Sequence, residues 1–95
     1  MTPVFEHIEQ TKYLLRQLLE SGFLSGRGFD EDLSRCQEAA LALGLPTGGE
    51  LLGRLSASLT ELRAGQGNFA NSSFVYSALN AYYDYVTNQL ILETI

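Results

Sequence analysis

Residues 41–52 read LALGLPTGGELL, and they contain the clearest structural signal in the chain. Gly44 can adopt the left-handed backbone conformation that closes a helix, and Pro46 cannot continue that helix. Thr47 and Glu50 have the spacing of a capping box, in which both side chains accept hydrogen bonds from unpaired N–H groups at a helix start. The stretch therefore predicts a tight corner between two helices that pack side by side.

Helical spacing of apolar residues continues on both sides of this corner. We expect helices at about Pro3–Glu20, Asp30–Leu43 and Gly48–Ala64, and a fourth from a cap at Asn71 or Ser72 to about Glu93. In the connection over residues 22–29, Phe23 and Leu24 either cover the end of the core or form an exposed docking tip. The sequence predicts an all-α fold, a single domain over residues 1–95 that forms a four-helix antiparallel up-and-down bundle.

Composition limits the class of protein. Apolar residues are 45% of the 95-residue chain, which is enough for a compact core. Cys36 is the single cysteine, so the chain forms no internal disulfide. Glu6 and Glu9 stand where a signal peptide needs basic and apolar residues, and no apolar run reaches the ~20 residues of a membrane span. We expect a soluble, cytoplasmic protein.

The net charge of −5 bears on the partner. Nucleic acids and anionic membranes are bound mainly through clustered lysine and arginine. Here the basic residues are scattered, at Lys12, Arg16, Arg27, Arg35, Arg54 and Arg63. We expect neither nucleic acid nor membrane as a partner, which leaves another protein or a second copy of the chain.

The last helix carries the strongest functional signal. Four tyrosines lie within ten residues, and apolar residues occupy two stripes, one of them Phe74, Ala78, Ala81, Tyr85 and Leu92. Tyrosine is enriched at protein interfaces, but its hydroxyl also suits the margin of a core, so both interpretations stay open. The interface candidates are Phe74, Tyr85, Leu92, Tyr76 and Tyr83.

No set of residues predicts catalysis, a metal or a cofactor. His7, the only histidine, lies at the edge of an apolar face without a nucleophile or acid at a useful spacing, and Cys36 faces inward as a small apolar residue. Asp30, Glu31 and Asp32 open a helix, where carboxylates complement its positive end. Residues 25–28 lack the ending of a phosphate-binding loop.

The corner has one further interpretation, a DNA-binding helix-turn-helix. Ala40, Gly44 and Leu45 match that motif, but the second helix begins with Gly48-Gly49-Glu50 and offers only Arg54 as a donor to bases or phosphates. A plain helical hairpin explains the same residues.

The segment Leu14–Leu62 also resembles helical regions that accompany bacterial SWIM zinc-finger proteins. The resemblance is carried by Leu15, Leu18-Leu19, Gly22-Phe23, Ala39-Ala40, Leu43-Gly44-Leu45, Leu51-Leu52 and Leu55. The Cys-x-Cys…Cys-x-His motif that defines that family is absent, so the resemblance implies neither zinc nor nucleic-acid binding.

These observations predict a small acidic helical protein-interaction module, an adaptor, subunit or regulator without catalytic activity. A small-ligand binder with a tyrosine-lined pocket between helices is the alternative. The helix-turn-helix DNA binder ranks below both.

Overall fold

The computed structural model describes residues 3–23 and 26–94, and within them it contains four α-helices and no strand. The helices are α1 (Pro3–Glu20), α2 (Arg27–Ala42), α3 (Pro46–Arg63) and α4 (Phe69–Thr94). Each helix packs against its two neighbours around the ring, with α1 against α2 and α4, and α3 against α2 and α4. The prediction of an all-α four-helix bundle is confirmed.

In the corner over residues 41–52, the first helix ends as predicted, but the second helix begins differently from the prediction. Gly44 has a φ of +77°, its N–H donates to the Leu41 carbonyl at 3.2 Å, and the Leu45 N–H donates to the Ala40 carbonyl at 2.9 Å. These two bonds are the Schellman closure of a helix, which requires a left-handed residue between them. The tight turn between α2 and α3 therefore follows from Gly44.

The predicted capping box at Thr47 and Glu50 is wrong. The helix α3 begins at Pro46, Leu45 is its N-cap, and no side chain caps it. Proline is pre-set for the first helical position, and the Leu45 carbonyl already accepts the Gly49 N–H at 3.0 Å. Thr47 consequently lies inside the helix, and the Glu50 carboxylate accepts a hydrogen bond from Arg54 at 2.8 Å instead.

Two other helices begin earlier than predicted. The α2 helix starts at Arg27, so of the acidic residues 30–32 only Asp30 lies in its first turn, and no side chain caps the helix. Asp30 forms an ion pair with Arg63 of α3 at 2.7 Å. The α4 helix starts at Phe69, and its cap is Asn68, whose side-chain oxygen accepts the Asn71 N–H at 2.7 Å. The predicted caps at Asn71 and Ser72 are therefore wrong.

The core lies between all four helices. Its buried apolar residues are Ile8, Leu14, Leu15, Leu18, Phe23, Leu33, Cys36, Ala40, Leu52, Leu55, Leu59, Val75, Leu79 and Tyr83. Phe23 covers the end of this core and packs its ring 5.0 Å from that of Phe69, although its φ of +68° is strained for a residue with a side chain. Burial of the ring offsets that strain. Leu24 lies outside the described residues.

The first half of α3 presents glycines to its neighbours. A Cβ atom on Gly48 would lie 2.7 Å from the Tyr83 hydroxyl oxygen, and one on Gly53 would lie 2.6 Å from the Gln37 amide nitrogen. Glycine at these positions lets the side chains of α4 and α2 approach the α3 backbone directly. Because Gly48 near the start of α3 is level with Tyr83, the last turns of α4 extend past the beginning of α3.

Candidate functional site

The candidate site is the side of α4 that faces away from the bundle. We define the outer face of α4 as Phe74, Ala78, Ala81, Tyr85, Asn88 and Leu92. Phe74 is 73% exposed, Tyr85 is 61% exposed and Leu92 is 64% exposed, which are high values for large apolar side chains. Phe74 and Leu92 lie eighteen positions apart along the helix, a distance of about 27 Å.

The outer face of α4 carries no charge along this length. All but two of the six basic and eleven acidic residues of the chain lie before Phe69, and the two on α4, Asp84 and Glu93, lie beside the outer face. The exposed side of α1, in contrast, carries Glu6, Glu9, Arg16 and Glu20. An exposed helix face that holds large apolar residues and excludes charge has the composition of the centre of a protein interface.

The structure divides the predicted interface candidates into two groups. Phe74, Tyr85 and Leu92 are on the outer face of α4. Tyr76 is half-buried, and its ring packs 5.5 Å from that of Phe23. Tyr83 is fully buried, so the structure removes it from the surface that a partner can reach. The physical reason is that Tyr83 points toward Gly48, where the missing Cβ leaves room for its ring.

The buried side of α4 contains a polar cluster formed by His7, Thr11 and Tyr83. The Nε2 atom of His7 lies 2.7 Å from the Tyr83 hydroxyl oxygen, and the Thr11 hydroxyl donates to the His7 carbonyl at 2.9 Å. His7 is therefore a core residue, not the boundary residue that the sequence predicted. His7, Thr11, Leu14 and Leu18 follow one another at steps of four, three and four on the buried side of α1. This helical spacing is the sequence signal that places His7 in the core.

Burial shifts the pKa values of this region. Burial lowers the pKa of His7 below its ordinary value of 6.5. Burial raises the pKa of the Tyr83 hydroxyl, and the Thr11 hydroxyl acts in the opposite direction. Burial also raises the pKa of the Cys36 thiol, which is the reverse of what a cysteine nucleophile needs. His7, Tyr83 and Cys36 are therefore neutral at pH 7, so these groups bring no charge into the core.

A groove of about 500 Å³ lies between α1 and α2. It is lined by Glu9, Gln10, Tyr13, Leu14, Asp32, Arg35 and Cys36. Tyr13 is 56% exposed at its rim, and Arg35 forms an ion pair with Asp32 at 2.5 Å. The sequence predicted a tyrosine-lined pocket, and this groove contains one tyrosine because those of α4 face the core or the solvent. A smaller depression of about 230 Å³ lies between α3 and α4, beside Phe74.

The corner does not have the geometry of a DNA reader. Gly48 and Gly49, in the first turn of α3, are buried against Tyr83 and Leu41. Arg54 is engaged in an ion pair with Glu50 at 2.8 Å. Reading a major groove requires the first turn of the recognition helix to be accessible and its basic side chains to be free.

Among residues 3–23 and 26–94, no three histidine, cysteine, aspartate or glutamate side chains cluster closely enough to hold a metal ion. In the same part of the chain, no helix combines the length and apolar character needed to cross a bilayer.

Comparison of the chain with protein-family models, with curated proteins and with solved structures gives no match.

Proposed function

We propose that this protein is a small helical interaction module, an adaptor, subunit or regulator, that binds another polypeptide through the outer face of α4. The observation that carries the proposal is the coincidence of exposed Phe74, Tyr85 and Leu92 on a strip without charge. In contact with water these side chains cost free energy that a partner can recover by covering them. A bound helix matches the strip in shape, because its residues recur at intervals of three and four.

The charge of the remaining surface supports the same proposal. The chain has a net charge of −5; nine of its eleven acidic residues lie on α1, α2 and α3, and the other two, Asp84 and Glu93, lie beside the uncharged strip on α4. A charged rim around an apolar centre disfavours indiscriminate association, because a wrongly placed partner must bury the rim charges.

Site-specific photo-crosslinking tests this proposal. A photoreactive phenylalanine replaces Tyr85 in one variant and Tyr13 in a matched control, since the two tyrosines have nearly equal exposure on different helices. We expect irradiation in an extract of the native source to join position 85, and not position 13, to a defined polypeptide. If the photoreactive residue at position 85 forms no crosslink to another polypeptide, the proposal is contradicted.

A second function is favoured by the groove between α1 and α2. Its volume of about 500 Å³ falls within the ~300–1,000 Å³ of small-molecule sites. Tyr13 offers a ring for stacking, and Glu9 offers a carboxylate for a ligand with a donor group. A fragment screen followed by amide NMR tests it. Shifts confined to residues around Tyr13 and Cys36 favour this second function, and shifts around Tyr85 favour the first.

A further inference from the structure

We infer that the partner of the outer face of α4 is the same face of a second copy of the chain, with the two helices antiparallel. This inference rests on the proposed function and names the partner that the interaction module binds. It is carried by the spacing of the residues, by their sizes and by the charges beside them.

The spacing of the outer face fits two antiparallel helices. Its six residues follow one another at steps of four, three, four, three and four. This alternation is the seam of a coiled coil, and it reads the same in both chain directions. With the two-fold axis level with Tyr83, Ala81 of one chain lies opposite Tyr85 of the other, Ala78 lies opposite Asn88, and Phe74 lies opposite Leu92.

The sizes of the side chains favour this orientation over the parallel one. In the antiparallel pair, each Tyr85 ring lies over an Ala81, so a large side chain fills the space that a small one leaves. A parallel pair places Tyr85 against Tyr85 and Phe74 against Phe74, which holds the helices apart around Ala78 and Ala81. Buried protein surfaces are close-packed, and unfilled space costs contact energy.

The charges beside the outer face permit two acidic chains to meet there. Asp84 is the one charged residue of α4 within two turns of the two-fold axis. Its carboxylate is already paired with Lys12 of α1 at 2.7 Å, and Lys12 also contacts the Asn80 side chain at 2.9 Å. Near the two-fold axis, two copies therefore approach without bringing unpaired carboxylates together.

The ends of the strip are complementary as well. Leu92 lies on the part of α4 that extends past the beginning of α3. In the antiparallel pair this leucine covers Phe74 of the other chain, next to the depression of about 230 Å³ between α3 and α4. One helix face of this length makes a small interface, so we expect a dimer with a dissociation constant on the order of micromolar.

Sedimentation equilibrium of the purified chain over a range of concentrations tests the dimer. We expect the wild-type chain to pass from one to two copies as the concentration rises. Tyr85→Glu should raise the dissociation constant by at least about 100-fold, because each of the two copies then buries a carboxylate in the dimer interface. Ser34→Glu is the matched control, since it adds the same charge on the exposed side of α2. Equal effects of the two variants, or a wild-type monomer at all concentrations, overturn the inference.

Disulfide trapping tests the orientation. In a Cys36→Ala background, Ala78→Cys and Asn88→Cys are made as separate variants. We expect each to stay unlinked alone and the mixture to form a disulfide between the two, because these positions face each other only in the antiparallel pair. Homodimeric disulfides in the separate variants overturn the antiparallel arrangement.

The results also separate this inference from the proposed function. A monomeric wild-type chain that crosslinks at position 85 to a different polypeptide overturns the inference and leaves the interaction module standing. A dimer insensitive to Tyr85→Glu, with no crosslink at position 85, overturns both.

Discussion

Tyr83 and Tyr85 lie two residues apart on α4 and occupy opposite environments. Tyr83 is fully buried and hydrogen-bonds His7, whereas Tyr85 is 61% exposed at the middle of the outer face. The two regions have the same kind of residues, apolar and aromatic, and neither contains a free charge. Similar residues on two sides of α4 therefore have different surroundings, because the neighbouring helices cover only one of the two sides.

Removing the buried ring is the largest expected effect. Tyr83→Ala should lower the free energy of unfolding by about 3–5 kcal/mol, because a fully buried aromatic side chain leaves a cavity and His7 loses its partner. Urea denaturation followed by circular dichroism measures this change. Tyr83→Phe, which keeps the ring, should cost about 1–3 kcal/mol through the unpaired His7 nitrogen. A loss below about 1 kcal/mol for Tyr83→Ala would mean that the ring does not lie in the core.

Filling the space that receives Tyr83 should have the next largest effect. A Cβ at Gly48 would lie 2.7 Å from the Tyr83 hydroxyl oxygen, which the core holds in place. We expect Gly48→Ala to lower the free energy of unfolding by about 1–3 kcal/mol, although alanine is the better helix former by ~1 kcal/mol.

Gly53→Ala provides the matched control for that experiment. Its Cβ would meet the end of the flexible Gln37 side chain, which can move aside. We expect this variant to be neutral or more stable by up to ~1 kcal/mol, measured by the same urea denaturation. Equal losses in the two glycine variants would contradict the role assigned to the Tyr83 contact.

The pH dependence of stability tests His7. Its folded pKa lies below its unfolded value of 6.5, so the unfolded chain takes up a proton first as the pH falls. The free energy of unfolding should therefore decrease from about pH 6.5 downward, by at most ~1.4 kcal/mol per pH unit, until the folded pKa is reached. Urea denaturation between pH 7.5 and pH 5 should show this slope in the wild type and a flatter one in His7→Gln. Identical slopes would mean that His7 is not buried in its neutral form.

The smallest expected effect concerns the exposed tyrosine. At concentrations where the chain is monomeric, Tyr85→Ala should change the free energy of unfolding by less than about 0.5 kcal/mol, because the side chain has few contacts to lose. Urea denaturation of dilute protein measures it. A loss comparable to that of Tyr83→Ala would show that the two regions do not differ as described.

The sequence predicts a helix boundary correctly where a single proline or glycine fixes the backbone. Pro3 and Gly22 delimit α1 at the predicted residues, and Gly44 closes α2 through two backbone hydrogen bonds. The sequence predicts starts of α2, α3 and α4 that lie two to four residues after the observed ones, because a favourable capping residue lies within each first turn, at Asp30, Thr47 and Asn71. At the start of α3, Pro46 occupies the first helical position, so Thr47 lies inside the helix and does not form the predicted capping box with Glu50.

The helical architecture and the uncharged strip of α4 follow from the order of the residues, because periodicity and charge are properties of one helix. The burial of Tyr83 and the place of His7 in the core follow from the packing of the helices against one another. Those outcomes depend on what the neighbouring helix places opposite each side chain. Gly48 leaves room for Tyr83, whereas the described part of the chain places no large side chain over Tyr85.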